Sequence, residues 1–380
     1  MSSLLGSSLV DEFRWNLHFG HEAGPLAARE RLSWAVGRLN VCLTMYQLEE
    51  ARIIEEIRRR GSKRVLLQMP EGLKPLGFRL AKLLEGQKGV EAFVSGDPCY
   101  GACDLALGPK SHLEADLLIH IGHAEIPGEF PEENVLYVEA RSDVPIDDLI
   151  EQATKMLNVE HTIGLASSIQ HIHQLDMAKQ ILEKNGKEVL VGRASGWLQY
   201  PGQVLGCDYG SVRTIADKVD AIVVLSGGDF HALGIPLATG KRTIVVDPFQ
   251  RTTKDMTEAC KKLLRKRWIN IEKFKETRRV GIIVGLKSSQ MNIALARRLK
   301  QLLEENGKSA ILICATEVIP ETIESFIDIE AYVEVSCPRI STDDQERYRK
   351  PILNPEEIMI SLGKKSWEDY TKGMTLEEWH

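Results

Sequence analysis

The sequence predicts an α/β fold of three similar, small, doubly wound domains of the Rossmann or flavodoxin type, with parallel sheets arranged with pseudo-threefold symmetry around a common centre. Short apolar segments alternate with amphipathic helices along most of the 380 residues, a pattern typical of parallel sheets covered on both faces. The pattern restarts twice, with first strands beginning near Val65, Ile163 and Ile282. The segments LEKNGKEVLV and LEENGKSAIL are near copies, which indicates one repeated unit.

The strands of each unit are short apolar runs separated by segments of helical periodicity. The first unit opens with a helix whose apolar residues are Leu48, Ala51, Ile54 and Ile57. Its predicted strands are KRVLLQMP, VEAFVSGD, ADLLIHIGHAEIP and NVLYVEARSD. Those of the second unit are HTIGLASSIQ, EVLVGRAS, DAIVVLSGGDFHA and RTIVVDPFQ. Those of the third unit are RRVGIIVGLKSSQ, SAILICAT and AYVEVSCPRIS.

From this order we expect domains over residues 45–155, 156–272 and 273–380. Residues 1–44 have a weaker pattern and are interpreted as an N-terminal extension to which we assign no chemistry. Gly186 and Gly307 are expected just beyond the ends of equivalent helices, because a left-handed glycine commonly follows the last helical turn.

The composition is that of an ordinary globular protein, with 43% hydrophobic and 27% charged residues. The net charge of −6 argues against a protein that binds nucleic-acid phosphates. The sequence has no run of about 18 apolar residues and no signal-peptide pattern. We therefore expect a cytoplasmic protein that binds neither membrane nor nucleic acid and whose large partners are proteins.

The seven cysteines are an odd number spread over a long chain, which is unlike a disulfide framework. Three of them lie in loops where parallel strands should end: Cys103 in YGACD, Cys207 in LGCDY and Cys337 in VSCPR. Ligands gather at such strand ends in open parallel sheets. Three thiolates from three domains fit an iron–sulfur cluster that keeps one iron free of protein ligands, as a catalytic metal requires.

The three loops are not fully equivalent. An Asp follows each of the first two cysteines, whereas Cys337 ends the third strand of its unit, so we expect its sulfur to come from a neighbouring loop. Cys42, Cys260 and Cys314 lie inside helical or strand patterns and are interpreted as small buried residues. Cys99 forms a C-x3-C pair with Cys103, which is compatible with a redox pair or half of a zinc site, although no second pair of ligands completes a zinc motif.

Seven segments are distinctive as a set: QMPEGL, SGDPCYGACDLA, DLLIHIGHA, GQVLGCDYG, VLSGGDFHALG, VVDPF and VEVSCPRISTDD. On these segments the sequence resembles the archaeal form of the 2-(3-amino-3-carboxypropyl)histidine synthase family, whose members carry out the first step of diphthamide biosynthesis. The resemblance covers about residues 46–355, and the first 44 residues fall outside it.

The resemblance implies that Cys103, Cys207 and Cys337 each contribute one thiolate to a 4Fe-4S cluster whose fourth iron binds S-adenosylmethionine. It further implies reductive cleavage of the bond between the sulfonium and the methionine Cγ, with release of 5′-methylthioadenosine. The 3-amino-3-carboxypropyl group then adds to C2 of a histidine imidazole on translation elongation factor 2. The implied assembly is a homodimer that receives its electron from a separate donor.

Residues near the cysteines suggest how the cofactor is held. Arg339, two residues beyond Cys337, is suited to the methionine carboxylate, because guanidinium groups match carboxylates. Asp343 is expected to orient Arg339 or to bind the ammonium group, and Gln290 to bond to the same part of the cofactor. His123 and His231 follow equivalent strands; His231 is a further candidate contact, although histidines at such positions also serve as structural hydrogen-bond partners.

Two other functions remain compatible with the cysteine pattern. Quinolinate synthase also has three similar α/β domains with one cysteine each on a cluster, and there the open iron acts as a Lewis acid in a dehydration. A partner subunit that holds or reduces a cluster for a catalytic paralogue is the second alternative. The DPCYGACDLA and VSCPRIS segments favour a diphthamide synthase over a quinolinate synthase. The complete set of three cysteines argues against a partner subunit.

Overall fold

The computed structural model describes residues 45–129 and 134–371, so the predicted N-terminal extension with Cys42 lies outside the described residues. The first sheet has four parallel strands in the order β2-β1-β3-β4. Its strands are β1 Arg64–Gln68, β2 Glu91–Val94, β3 Leu117–Ile121 and β4 Val135–Val138. Its helices are α1 Glu50–Arg60, α2 Gly77–Glu85, α3 Leu107–His112 and α4 Asp147–Met156.

The second sheet has five strands in the order β6-β5-β7-β8-β9. They are β5 Thr162–Ser167, β6 Glu188–Val191, β7 Ala221–Leu225, β8 Arg242–Asp247 and β9 Thr252–Asp255. The strand β9 pairs antiparallel with β8, whereas the other pairings are parallel. The accompanying helices are α5 Leu175–Lys184, α6 Gly210–Arg213, α7 Phe230–Thr239 and α8 Thr257–Lys275.

The third sheet repeats the parallel order of the first as β11-β10-β12-β13. Its strands are β10 Arg279–Gly285, β11 Ser309–Ala315, β12 Ala331–Glu334 and β13 Ile352–Leu353. Its helices are α9 Ile293–Glu305, α10 Pro320–Ile323, α11 Pro338–Thr342, α12 Pro355–Ser361 and α13 Trp367–Thr371. In each sheet the second strand lies outside the first, which is the flavodoxin-like order. The prediction of three similar doubly wound domains is therefore confirmed.

One polar contact repeats in all three domains and shows their common plan. An acidic residue just before the third strand accepts hydrogen bonds from the two backbone amides at the start of the first strand. Asp116 binds the amides of residues 63 and 64, Asp220 those of 161 and 162, and Glu330 those of 278 and 279. These bonds lower the pKa of all three carboxyls, since they stabilise the charged form.

The helix-to-strand joints predicted from the sequence are also confirmed. Gly186 and Gly307 follow α5 and α9 with φ of 79° and 80°, a left-handed conformation that glycine adopts at little cost. The chain then turns directly into the edge strands β6 and β11. Among the described helices, none has both the length and the hydrophobicity to cross a membrane.

The structure corrects three details of the sequence interpretation. His231, which we expected in a loop, lies in the first turn of α7; Gly234 and Pro236 within that helix obscure its pattern. The strands β9 and β13 and the helices α3, α12 and α13 were not predicted, and α11 lies at the end of AYVEVSCPRIS, which was predicted as strand. Cys314 lies in β11 as expected but is exposed, because alternate side chains of this edge strand face solvent.

The second and third domains are joined by α8, inside which the expected boundary at residue 272 falls. Arg267 of this helix is 1% exposed and pairs with the equally buried Glu357 of α12. Its guanidinium also donates to the Ile352 carbonyl at 2.8 Å and to Gln345 at 2.9 Å. Every donor direction of the guanidinium is used by the third domain, so Arg267 fixes α8 to that domain.

Candidate functional site

The three cysteine loops converge on one cavity of about 530 Å³, a volume that includes open solvent at its mouth. Cys103, Cys207 and Cys337 all line it, together with Trp197 and residues 289–292. No carboxylate, imidazole or fourth thiol is among the described residues that line this cavity. The sequence thus correctly indicated that three thiols from three domains meet.

Cys103 reaches the cavity because its loop docks on the first loop of the third domain. Its carbonyl accepts hydrogen bonds from the Ser289 amide and the Ser288 hydroxyl, both at 3.1 Å. The Gln290 amide nitrogen lies 3.5 Å from the Cys103 sulfur. A loop of one domain and a loop of another therefore position this thiol together.

A buried ion-pair group supports the same junction. The Lys287 ammonium lies 2.7 Å from Asp104 and 2.7 Å from Glu317, and 4.5 Å from the centre of the Tyr100 ring. Lys287 is 8% exposed, and its two carboxylate partners raise its pKa. The Asp that follows Cys103 thus joins the first domain to the third.

Cys207 lies in a loop shaped by the next residue and by close packing. Asp208 accepts hydrogen bonds from the amides of Trp197 and Gly210, each at 2.8 Å. A Cβ atom at Gly206 would lie 1.6 Å from the Phe230 ring, so only glycine fits there. The Asp after each of these two cysteines has a structural role, which is an ion pair in one domain and a loop cap in the other.

Cys337 directly precedes α11, beyond the end of the third strand β12, as the sequence indicated. Its amide and that of Ser336 donate to the Glu334 carboxylate at 2.9 and 3.0 Å. Glu334 is fully buried, and burial raises its pKa to about 8. This carboxyl group beneath the thiol was not identified from the sequence, where a single Glu in a strand carries no signal of its own.

The three thiols influence one another. Burial raises the pKa of Cys103 and raises that of Cys207 well above its usual range, with further contributions from Cys103 and Cys337. The pKa of Cys337 is raised by burial and by Cys103. Three thiolates are therefore unfavourable here without a cation, and a set of three sulfur donors matches the ligands of an iron–sulfur cluster.

The residues expected near the cofactor divide into two groups. Gln290 lines the cavity, whereas Arg339, Asp343 and His231 are not among its lining residues. Arg339 stacks on the Phe230 ring, with the guanidinium carbon 3.7 Å from the ring centre, and its Nε lies 3.2 Å from Asp343. The expectation that Asp343 orients Arg339 agrees with this contact.

His231 and His123 are both held by neighbours. His231 Nδ1 lies 3.1 Å from the Ser226 hydroxyl, and burial lowers its pKa to about 3. His123 Nδ1 lies 3.0 Å from His120 Nε2, and burial lowers its pKa to about 4. Both imidazoles are therefore neutral near pH 7.

Fold and site together define a three-domain α/β protein in which each domain delivers one thiol to a shared cavity. Residues 69–371 match the family described as "Putative diphthamide synthesis protein". The chain therefore belongs to this family of diphthamide synthesis proteins, as the sequence motifs predicted.

Individual relatives agree with this assignment. The 2-(3-amino-3-carboxypropyl)histidine synthase of Pyrococcus horikoshii is 36% identical over 86% of this chain and 93% of its own length. Subunit 1 of the Gallus gallus 2-(3-amino-3-carboxypropyl)histidine synthase is 30% identical over 88% of this chain and 82% of its own length. The crystal structure of Dph2 from Pyrococcus horikoshii with a 4Fe-4S cluster superposes with a TM-score of 0.79, at 34% identity, over 87% of this chain and 95% of that chain.

Proposed function

We propose that this chain is a 2-(3-amino-3-carboxypropyl)histidine synthase. It transfers the 3-amino-3-carboxypropyl group of S-adenosylmethionine to C2 of a histidine imidazole on translation elongation factor 2 and releases 5′-methylthioadenosine. The observation that carries the proposal is the convergence of Cys103, Cys207 and Cys337 on one cavity. Kinship with the Pyrococcus horikoshii synthase and with the cluster-containing Dph2 structure supports it.

In this proposal the three cysteines hold a 4Fe-4S cluster, and each protein residue around it has a physical task. When bound and reduced, the cluster supplies the electron that cleaves the bond between the sulfonium and Cγ. Gln290 donates toward the Cys103 sulfur and so stabilises its thiolate form. Glu334 fixes the backbone at Cys337 through two amide hydrogen bonds.

The amino-acid part of S-adenosylmethionine is assigned to residues beside the cavity. Arg339 binds its carboxylate, because a guanidinium that stacks on Phe230 is held in one plane and keeps donors for a two-point contact. Asp343 orients that guanidinium and faces the ammonium group. His231 and Gln290 complete the proposed contacts as neutral hydrogen-bonding groups.

In this proposal the chain works as a homodimer, receives its electron from a separate donor and excludes water from the cavity. We assign the reaction to the cytoplasm, where elongation factor 2 acts. No acid or imidazole is among the described residues that line the cavity, so these residues supply no carboxyl or imidazole for proton transfer in a dehydration of the quinolinate type.

The test is anaerobic reconstitution with iron and sulfide, followed by reduction with dithionite in the presence of S-adenosylmethionine and archaeal elongation factor 2. We expect 5′-methylthioadenosine and an elongation factor whose mass increases by one aminocarboxypropyl group. A cluster that forms but leaves S-adenosylmethionine intact would favour the partner-subunit or Lewis-acid functions. Failure to form any cluster would overturn the three-thiol site itself.

A further inference from the structure

A second group of potential metal ligands lies in the first domain, apart from the three converging thiols. Cys99, His120 and His123 place one sulfur and two ring nitrogens within 4.8 Å of one another. Cys99 is 5% exposed and His120 is 0% exposed. None of the three is needed for the proposed reaction, and none lines the central cavity.

The hydrogen bonds of Gln68 determine which nitrogens carry lone pairs. Its amide nitrogen donates to the Asp104 carbonyl at 2.6 Å, and its oxygen accepts from the Ala106 amide at 3.0 Å. The orientation of the Gln68 amide is therefore fixed. The same oxygen lies 2.9 Å from His120 Nδ1, so this nitrogen must carry the hydrogen, and His120 Nε2 must carry the lone pair.

This arrangement matches the surroundings of metal-bound histidines, whose second ring nitrogen usually donates to an oxygen acceptor that fixes the ring. His120 Nε2 lies 3.0 Å from His123 Nδ1. Because His120 Nε2 carries the lone pair, His123 Nδ1 carries the hydrogen that joins the two nitrogens. Two nitrogens bound to one tetrahedral Zn²⁺ lie about 3.3 Å apart, given Zn–N bonds of roughly 2.0–2.1 Å. Replacing that proton by a metal ion thus requires only small side-chain rotations.

We propose that Cys99, His120 and His123 bind one Zn²⁺ ion, with water as the fourth ligand, and that this ion fixes the loop that carries Cys103. Burial lowers the pKa of both imidazoles, so both are neutral at pH 7, and only the tautomer of His123 has to change: its proton moves from Nδ1 to Nε2 and leaves the Nδ1 lone pair for the metal. The thiol must release its proton, since its pKa is raised to about 12 in the absence of metal; Zn²⁺ drives this ionisation.

The connection to the loop runs through Gln68. The residue that orients His120 also binds the backbone on both sides of Leu105, at Asp104 and Ala106. Cys99 begins the same loop four residues before Cys103. A metal held by Cys99 and His120 therefore fixes the loop at its start through Cys99 and at its end through Gln68.

The experiment uses the full-length chain with Cys103, Cys207 and Cys337 all replaced by Ala, which removes the central thiols. We expect about one Zn²⁺ per chain by elemental analysis after metal loading and desalting. With Co²⁺ as the probe, we expect the visible bands of a tetrahedral site and a thiolate-to-metal charge-transfer band. Amide exchange in residues 100–106 should slow when Zn²⁺ is added.

The substitution Cys99→Ser in this background should abolish the charge-transfer band, and His123→Gln should lower the bound metal to the background level. Cys260→Ser is the matched control, because Cys260 is a buried thiol packed against Leu237 and Leu263. Circular dichroism establishes that each variant is folded. Absence of bound metal in the folded parent, or a charge-transfer band that survives Cys99→Ser, overturns the proposal. Since the central thiols are absent, neither result bears on the proposed synthase activity.

Discussion

The amide nitrogen of Gln290 lies 3.5 Å from the sulfur of Cys103, although one residue belongs to the third domain and the other to the first. The neighbours of both residues are joined as well, through Ser288, Ser289 and the buried Lys287. The junction between these two domains therefore also positions a proposed cluster ligand. Changes at the junction should affect both stability and the site.

Each of the substitutions Cys103→Ala, Cys207→Ala and Cys337→Ala should abolish or strongly destabilise the bound cluster. The reason is that each removes one of three thiolates, and no other thiol is found among the described residues that line the cavity. Absorbance near ~400 nm, together with iron and sulfide content, measures the loss. Cys314→Ala, at an exposed position in β11, should keep the full signal. If Cys314→Ala loses the cluster and Cys207→Ala retains it, the ligand assignment is wrong.

Arg339→Ala should leave the cluster intact and weaken the binding of S-adenosylmethionine by about tenfold to a hundredfold. A charged hydrogen bond contributes roughly 1.5–3 kcal/mol, and no other cation is proposed for the carboxylate. Titration calorimetry on the reconstituted protein measures the change. Arg339→Lys should be intermediate, since an ammonium keeps the charge but cannot make the two-point contact.

The control for this prediction is Arg347→Ala, which removes a guanidinium paired with exposed Asp344 on the same segment. It should bind S-adenosylmethionine like the parent. Equal affinity of Arg339→Ala and the parent would assign Arg339 to packing on Phe230 alone.

Lys287→Met should destabilise the protein by about 3 kcal/mol, because removing one partner leaves a buried charge uncompensated. That charge is Asp104, whose side chain is 10% exposed and pairs with Lys287 at 2.7 Å. Urea unfolding measures the effect. Lys261→Met, which removes an exposed partner of Glu258, should change stability little. The double variant Lys287→Met with Asp104→Asn should recover part of the loss; an unchanged loss would show that the pair does not act as a unit.

Asp116→Ala should lower the melting temperature at pH 7, because two backbone amides at the start of β1 lose their acceptor. The folded-state pKa of Asp116 is lowered from 3.8, so its stabilisation is complete above about pH 4 and is lost as pH falls through the lower folded value. The difference between variant and parent should therefore narrow in acid, as thermal scans at pH 7 and about pH 3 would show.

Asp217→Ala provides the comparison, since Asp217 is an exposed acid four residues before β7, whereas Asp220 is the acid that binds the two amides in that domain. It should not alter the melting temperature at either pH. A difference for Asp116→Ala that is constant between the two pH values would contradict the charge-based explanation.

The sequence was informative where the repeat imposed a pattern. Three repeated features were enough to predict three domains and their common cavity. These features are a set of apolar strands in each unit, a glycine after equivalent helices, and a cysteine at a strand end in each unit. Gly186 and Gly307 both have positive φ, as expected if the two segments form the same helix-to-strand joint. The offset position of Cys337 also followed from counting strands, because the order of strands in parallel sheets is regular.

The features that could not be predicted depend on contacts between residues far apart in the sequence. Lys287 and Asp104 are 183 positions apart, and a single Lys or Asp in a loop gives no sign of its partner. Glu334 lies in an otherwise apolar strand, and its role becomes visible only when the Cys337 backbone folds over it. The helix α7 was not predicted because Gly234 and Pro236 are poor helix formers. Gly234 is needed there for close packing, since a Cβ at this position would clash with Tyr209.

The buried pair in α8 and α12 sets an order of events during synthesis. Glu357 is translated 90 residues after Arg267, an interval of roughly 5–20 s at about 5–20 residues per second. Until then the guanidinium has no counter-ion for its interior position, and α8 cannot settle against a domain that does not yet exist. The third domain, which supplies Cys337, must therefore leave the ribosome before the cavity can close, so insertion of the proposed cluster would follow the synthesis of that domain.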